Sequence, residues 1–272
     1  RRTDVSNQWI GACGVLALFV LLFLRVPVWA ALMLVGVIGN TIVGGWTSAF
    51  AILGTTGFDT GSAYTLSVIP LFILMGDVAS STRLSADLFN AARVLLSGIR
   101  GGLSIAAIGA AACFGAVCGS SVATAATMTK IALPEMRKAG YDDGLATGSI
   151  AAGGSLGILI PPSIILVIYA AIAEQSVPKL FAAALIPGLV LTAIYIVVAL
   201  VVAHLKPEYA PTVANVTWKE RLDALRQPWQ FLLLFIVTIG GIYAGIFSPT
   251  EAAAIGAFGA ILLGLLGRRL TV

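Results

Sequence analysis

Two interruptions in otherwise apolar stretches carry the residue types that could do chemistry in this 272-residue chain. The first is Gly119-Ser120-Ser121, which divides "LSIAAIGAAACFGAVCGSSVATAATMTKIALPEM". The second is Pro161-Pro162, inside "GGSLGILIPPSIILVIYAAI". Neither suits nucleophilic catalysis: a serine needs a positioned base, and His204, the sole histidine, lies far along the chain. What these breaks offer is oxygen. Helical N–H groups bond the carbonyl four residues back, and proline has none to give. In a continuous helix Pro161 and Pro162 would strand the carbonyls of Gly157 and Ile158. Such carbonyls suit Na+, and the N-terminus of a half-helix carries partial positive charge suited to a carboxylate.

The elements that must position these groups follow from the same breaks. The apolar half before Gly119 holds about 16 residues and reaches roughly 24 Å, short of the ~30 Å hydrocarbon core. The spacing therefore predicts a re-entrant hairpin with its tip at Gly119–Ser121, Ser121 capping a helix that begins at Val122. Small residues on both halves allow close packing. A single kinked helix is the competing reading. In the second stretch Ile160 is pushed out of helical geometry by the following proline. Pro162 suits a first helical position. The expected product is a helix, an unwound "GILIP" crossover and a second half-helix, with a purely structural kink as the alternative. Unwound backbone at membrane depth is tolerated only against protein or a water-filled cavity.

The whole composition places these breaks in a bilayer. Hydrophobic residues make up 59% and charged residues 10%, mean hydropathy is +1.01, and a soluble domain carries roughly a quarter charged residues. Uncharged runs recur at Val26–Phe58, Gly101–Thr129, Gly144–Ala173, Leu180–Ala203 and Gln227–Thr250. They lack the two-residue alternation of a barrel, so the fold class is an all-α polytopic membrane protein. The net charge of +4 is no nucleic-acid signal. Arg1, Arg2, Arg83, Arg93, Arg100, Arg137, Lys138, Lys219, Arg221, Arg226, Arg268 and Arg269 sit at the ends of apolar runs, where anchors belong. Cys13, Cys113 and Cys118 form neither a disulfide framework nor a metal set and read as small packing residues.

Along the chain the pattern predicts helices over Trp9 to Leu24, retained rather than cleaved, and over Pro27 to about Val43. A weakly structured connection broken by Gly44, Gly45 and Gly57 follows, then a span over Ala63 to Ala79. Leu84, Leu88, Phe89, Ala92, Leu95 and Leu96 share one face of a helix that lies in the interface or packs on a neighbour. After the two broken segments come a plain helix from Leu180 to about His204, a polar loop over 205–228 with a short amphipathic helix, and spans over Trp229 to Phe247 and Thr250 to Leu266.

In the stretches "IPLFILMGDVASSTRLSADLF", "RGGLSIAAIGAAACFGAVCGSSVATAATMTKIALPEMRKAGYDDGLATG", "GGSLGILIPPSIILVIYAAIAEQSVPKLFAAALIPGLV" and "FSPTEAAAIGA" the chain resembles the large membrane subunit of TRAP (tripartite ATP-independent periplasmic) transporters. The resemblance implies an elevator-type, ion-transporter-superfamily fold in the bacterial inner membrane. Scaffold helices and an interfacial arm helix would occupy 1–100. A transport-domain half would occupy 101–178, with the hairpin at about 103–138 and the broken helix at about 144–173, and further membrane helices would occupy 179–272. It implies Na+-coupled uptake of a small carboxylate (a C4-dicarboxylate, sialic acid or 2-oxo acid). A periplasmic substrate-binding protein and a small four-helix membrane subunit would be the partners, with no organic cofactor and no nucleic acid. Carried over residue by residue, it sets Ser120, Ser121, Gly157, Ile160 and Pro162 on Na+, the last three through backbone carbonyls, Gly119 on the substrate, and Thr124 on the substrate or the ion. The family's second inverted half does not follow within the 272 residues, so a truncated fragment or partial gene product is expected.

Other polar residues have blander readings. Asp77 is either functional, as intramembrane acids are by default, or a helix-end group. Glu251 caps a helix start, and His204 partners a helix C-terminus rather than relaying protons. Ser163 is expected to cap its half-helix. Another elevator-type symporter, a channel and a non-transporting membrane scaffold remain as rival functions; an intramembrane enzyme lacks its base.

Overall fold

A computed structural model describes residues 2–212 and 216–267, all of them helix or connection. It divides into two compact units, residues 1–63 and 64–272. Arg1, Arg268 and Arg269, three of the cations expected at run ends, lie outside the described residues, as does part of the 205–228 loop.

The first unit is a helix pair, α1 (Arg2–Phe23) and α2 (Val28–Ser62), packed on each other. The weakly structured connection expected after Val43 is instead helix as far as Ser62, departing from helical geometry only at Gly45, with φ 80° and ψ 167°. Glycine costs a helix only about 1 kcal/mol per residue. An apolar segment that cannot hydrogen-bond to solvent therefore closes its backbone internally and confines the break to one residue. Leu16, Phe19, Trp29 and Ile42 are more than half exposed, an outward apolar face suited to lipid.

The second unit is built round one buried helix. After a short 3-10 turn come α3 (Val68–Ser81), α4 (Leu84–Leu95), α5 (Gly102–Cys118), α6 (Ser121–Lys138), α7 (Asp143–Ser155), α8 (Ile164–Ile172) and α9 (Val177–Leu205). Then follow α10 (Trp218–Arg226), α11 (Trp229–Phe235), a π-turn into α12 (Gly241–Tyr243) and α13 (Pro249–Leu266). Of the 17 residues of α5, all but Gly109 and Cys113 are buried. It touches α3, α4, α6, α7 and α9. Its Ala and Gly side chains make that possible, because small residues let helix backbones approach. Phe72 and Met75 of α3, Phe114 of α5, and Met128 and Met136 of α6 fill the core around it.

The helix with the predicted one-sided face, α4, packs on α5 and α10, burying Leu84, Leu88 and Phe89. Four helices among the described residues are long and apolar enough to cross a membrane: Val28–Ser62, Tyr64–Ser81, Val177–Leu205 and Pro249–Leu266. The helix pair Trp218–Arg226 and Trp229–Tyr243, bent by 45°, could supply a fifth, while Gln8–Phe23 and Gly102–Cys118 are shorter. The chain is a multi-pass membrane protein.

Local expectations for the cysteines and Glu135 change, while those for Glu251 and His204 hold. Cys13 and Cys113 are exposed, and only Cys118 is buried. Glu135, which has no role in the sequence reading, ties α6 to α4 through Arg93 at 3.4 Å and also meets Lys138 at 3.0 Å. Glu251 forms a capping box with Ser248. His204 sits in the last turn of α9, with Nδ1 2.8 Å from the Leu200 carbonyl.

Candidate functional site

Helices α5 and α6 fold back on each other. They meet at Gly119-Ser120, and at their far ends Leu103 N–H donates to Tyr141 Oη at 3.3 Å. The turn is set by Gly119 in the left-handed region (φ 64°), whose N–H returns to the Gly115 carbonyl at 2.8 Å. Glycine adopts that conformation without a Cβ penalty. Ser120 is then extended (φ −132°, ψ 123°), and its Oγ accepts from Ala123 N–H at 3.4 Å. The cap is therefore Ser120, not Ser121 as the sequence suggested. The left-handed turn is complete in one residue, so the helix starts one position earlier.

The second break is where the prolines require it. α7 tightens into a 3-10 turn at Leu156–Ile158 and loses helical form through Pro162; the Pro161–Pro162 peptide bond is cis. Helix resumes at Ile164, with Ser163 rather than Pro162 at its start. The Ser163 Oγ works in both directions. It accepts from Leu166 N–H at 3.4 Å and donates to the Ile158 carbonyl at 2.6 Å. One of the two carbonyls that the prolines strand is thus answered by a side chain five residues on, and this pins the cap at Ser163.

The two breaks meet. Ile164, the first residue of α8, donates its N–H to the Gly119 carbonyl at 3.3 Å. A Cβ on Gly119 would stand 2.9 Å from the Pro162 carbonyl oxygen. A Cβ on Gly157 would stand 2.9 Å from Thr124 Oγ1 and 3.0 Å from the Ser120 carbonyl oxygen. Gly119, Ser120, Thr124, Gly157 and Pro162, chosen from two separate stretches of sequence, therefore form one cluster. Ser121 stands beside them as the first residue of α6. Ile160 is turned elsewhere. Its side chain is buried with Leu156, Ile108 and Ala112 and lies against Gly188 of α9, which leaves its backbone as the part with chemistry to offer.

Thr124 is fully buried, its hydroxyl donating to the Ser120 carbonyl at 2.7 Å and lying 2.9 Å from Cys118 Sγ. It fixes the shape of the tip. The N-termini of α6 and α8 converge at the tip, with backbone and serine oxygens interleaved between them. Such an arrangement offers oxygen ligands to a hard cation and partial positive charge to an anion in the same few ångströms.

Beside the tip opens a cleft of about 670 Å3 between α3 and α6. Its polar lining is Asp77 and Ser80 from α3, Ser120 at the tip, and Thr127 and Lys130 from α6, and Ser80 Oγ lies 3.2 Å from Thr127 Oγ1. The sequence reading missed Thr127 and Lys130. The signal was the spacing Ser120, Ala123, Thr127, Lys130, which puts all four on one face of α6. A cavity of similar size between α1 and α2 is walled by apolar residues such as Trp9, Val35 and Ile38 and lacks the charged groups of the α3–α6 cleft.

These features define a membrane protein with a capped hairpin seated on a broken helix. Comparison with known proteins gives the family. Residues 15–272 match the model for the Tripartite ATP-independent periplasmic transporter, DctM component, and the chain belongs to that family. It is 44% identical over 200 residues to the C4-dicarboxylate TRAP transporter large permease protein DctM of Pseudomonas aeruginosa, covering 74% of this chain and 46% of that one. It is 36% identical over 198 residues to the ectoine TRAP transporter large permease protein TeaC of Halomonas elongata, covering 73% and 46%. It is also similar to the sialic acid TRAP transporter permease protein SiaT of Haemophilus influenzae, 34% identical over 202 residues, or 74% of this chain and 32% of that one. The chain thus spans less than half the length of these relatives, all of them named as permeases rather than enzymes.

Proposed function

We propose that this chain forms part of the permease of a Na+-coupled, binding-protein-dependent uptake system for a small organic acid in the bacterial inner membrane. The observation that carries the reading is the seating of the hairpin tip on the helix break, where Gly119 and Ile164 share a hydrogen bond of 3.3 Å. Na+ is held by the Ser120 and Ser121 hydroxyls with the carbonyls of Gly157, Ile160 and Pro162. Gly119 presents the tip to the acid's carboxylate, with Thr124 holding the tip in shape beneath it. Sodium supplies the driving force and enough positive charge to admit an anion to a low-dielectric site.

Transport is by an elevator motion, with a small four-helix membrane subunit and a periplasmic binding protein as partners. The relatives' names span C4-dicarboxylate, ectoine and sialic acid; a C4-dicarboxylate is the first substrate to test, from the relative with 44% identity. The test is uptake of labelled acid into proteoliposomes holding the full-length permease and its small subunit, with loaded binding protein outside. Uptake that needs an inward Na+ gradient and saturates with acid supports the reading. Flux that is linear in acid and indifferent to Na+ would sink it.

A further inference from the structure

The short helix α10 combines features that transport by the hairpin does not use. It is the most polar helix among the described residues, with five charged residues in nine, yet Trp218, Leu222 and Leu225 are 78%, 58% and 49% exposed. Trp229, the first residue of α11, is 55% exposed. At about 100° per residue, Trp218, Leu222 and Leu225 fall within an arc of roughly 60°. Lys219 and Arg226 flank that arc on one side and Arg221 on the other, each within about 60° of its edge. Asp223 and Glu220 lie about 100° or more beyond it. The buried Ala224 marks the face that packs on α4.

The rest of the geometry holds this helix in place. Arg221 donates to the Ser97 carbonyl at 3.2 Å, with its guanidinium 5.6 Å from the Trp218 ring centre. Next to the bend, Asn90 of α4 donates to Gln227 at 2.7 Å. The two-residue break into Trp229–Tyr243 turns the chain by 45°, so α10 leaves the direction of an apolar segment just where charge begins. A stripe of Trp and Leu with cations along its edges and acids on the far side is complementary to an anionic lipid surface. The rings and leucines enter the acyl boundary, Lys and Arg reach phosphates, and the carboxylates stay in water.

We infer that α10 lies in the headgroup region of the bilayer and binds acidic phospholipid through Lys219, Arg221 and Arg226, tethering α4 to the interface through the Asn90–Gln227 and Arg221–Ser97 bonds. The test uses spin labels on the full-length permease in phosphatidylcholine vesicles, with and without phosphatidylglycerol. The variants are Leu222→Cys and Glu220→Cys, with Cys13, Cys113, Cys118 and every other cysteine of the full-length permease replaced by alanine. A label at position 222 should collide with oxygen several-fold more than with a water-soluble nickel chelate, and one at position 220 the reverse. Phosphatidylglycerol should sharpen the contrast, and Lys219→Glu with Arg226→Glu should remove that gain. Equal chelate access at both positions would overturn the inference, because the stripe then faces water. Shielding of position 222 from both reagents would overturn it too, because protein then covers the stripe. Should the cysteine-free background fail to fold, quenching by brominated phospholipid decides the matter. Loss of a quenched component in Trp218→Phe supports lipid contact, and an unchanged quenched fraction refutes it.

Discussion

The N–H of Ile164 and the carbonyl of Gly119 lie 3.3 Å apart, so the first donor of one half-helix is satisfied by the turn of a hairpin 45 residues earlier in the chain. That bond makes the two breaks a single object. Any change that lifts the tip from the crossover also leaves the first N–H of α8 without its partner.

Gly157→Ala tests how close that contact is. The added methyl would sit 2.9 Å from Thr124 Oγ1 and 3.0 Å from the Ser120 carbonyl, and overpacking of this kind costs about 1–3 kcal/mol. Relief comes by displacing the tip, so the Na+ concentration for half-maximal uptake should rise by roughly tenfold or more. Unaltered Na+ dependence in a folded variant would separate the tip from the ion.

Ser163→Ala should cost more stability than Ser121→Ala. The first removes an N-cap and leaves the Ile158 carbonyl, now bonded at 2.6 Å, without its donor, a loss of about 1–3 kcal/mol. No side-chain cap involves Ser121, since Ser120 holds that position. Thermal unfolding in detergent should show a lower midpoint for Ser163→Ala alone. Uptake should then be impaired in Ser121→Ala through its proposed contact with Na+.

Among the described residues, Lys130 is the one cation lining the α3–α6 cleft. If the acid passes through that cleft, Lys130→Gln should raise KM about tenfold, the loss of one charge-assisted hydrogen bond of ~1.5 kcal/mol. Asp77→Asn should act in the opposite direction for an anionic substrate, by removing a like charge. Equal KM values for the two variants and the parent would place the route elsewhere.

The turn between α6 and α7 carries a pH-sensitive contact. Arg137 Nε donates to Asp143 at 2.7 Å, which holds the carboxyl below its ordinary value, chiefly through that hydrogen bond. A carboxyl whose pKa is lowered on folding contributes stability above the ordinary Asp pKa of roughly 3.9, and the contribution is lost as pH falls through the lowered value. Both groups are exposed, so the effect is small. Hydrogen exchange across residues 138–146, corrected for its intrinsic pH dependence, should lose protection below about pH 4 in the parent and show no such step in Asp143→Asn.

Much of the site was legible in residue order. Ser120, Gly157 and Pro162 were placed correctly at two breaks because a left-handed glycine and a proline without an N–H act locally, whatever surrounds them. The errors were of one residue at Ser121 and two at Pro162, where helix starts are settled by side-chain hydrogen bonds rather than by propensity. Gly45 breaks the helix as expected, but the rest of the Gly44–Ser62 segment was misjudged because local glycine signals are weak against the need of an apolar chain to satisfy its own backbone.

By itself the sequence determined that this is a multi-pass helical protein and where its helices break, since hydropathy and proline chemistry need no partner. Only the tertiary structure decided that the breaks meet, that Thr124 is consumed in holding the tip, and that Asp77 faces the same cleft as Lys130. Those facts depend on how far α5 sinks among its neighbours. Its small side chains permit that depth, but the packing of five surrounding helices sets it.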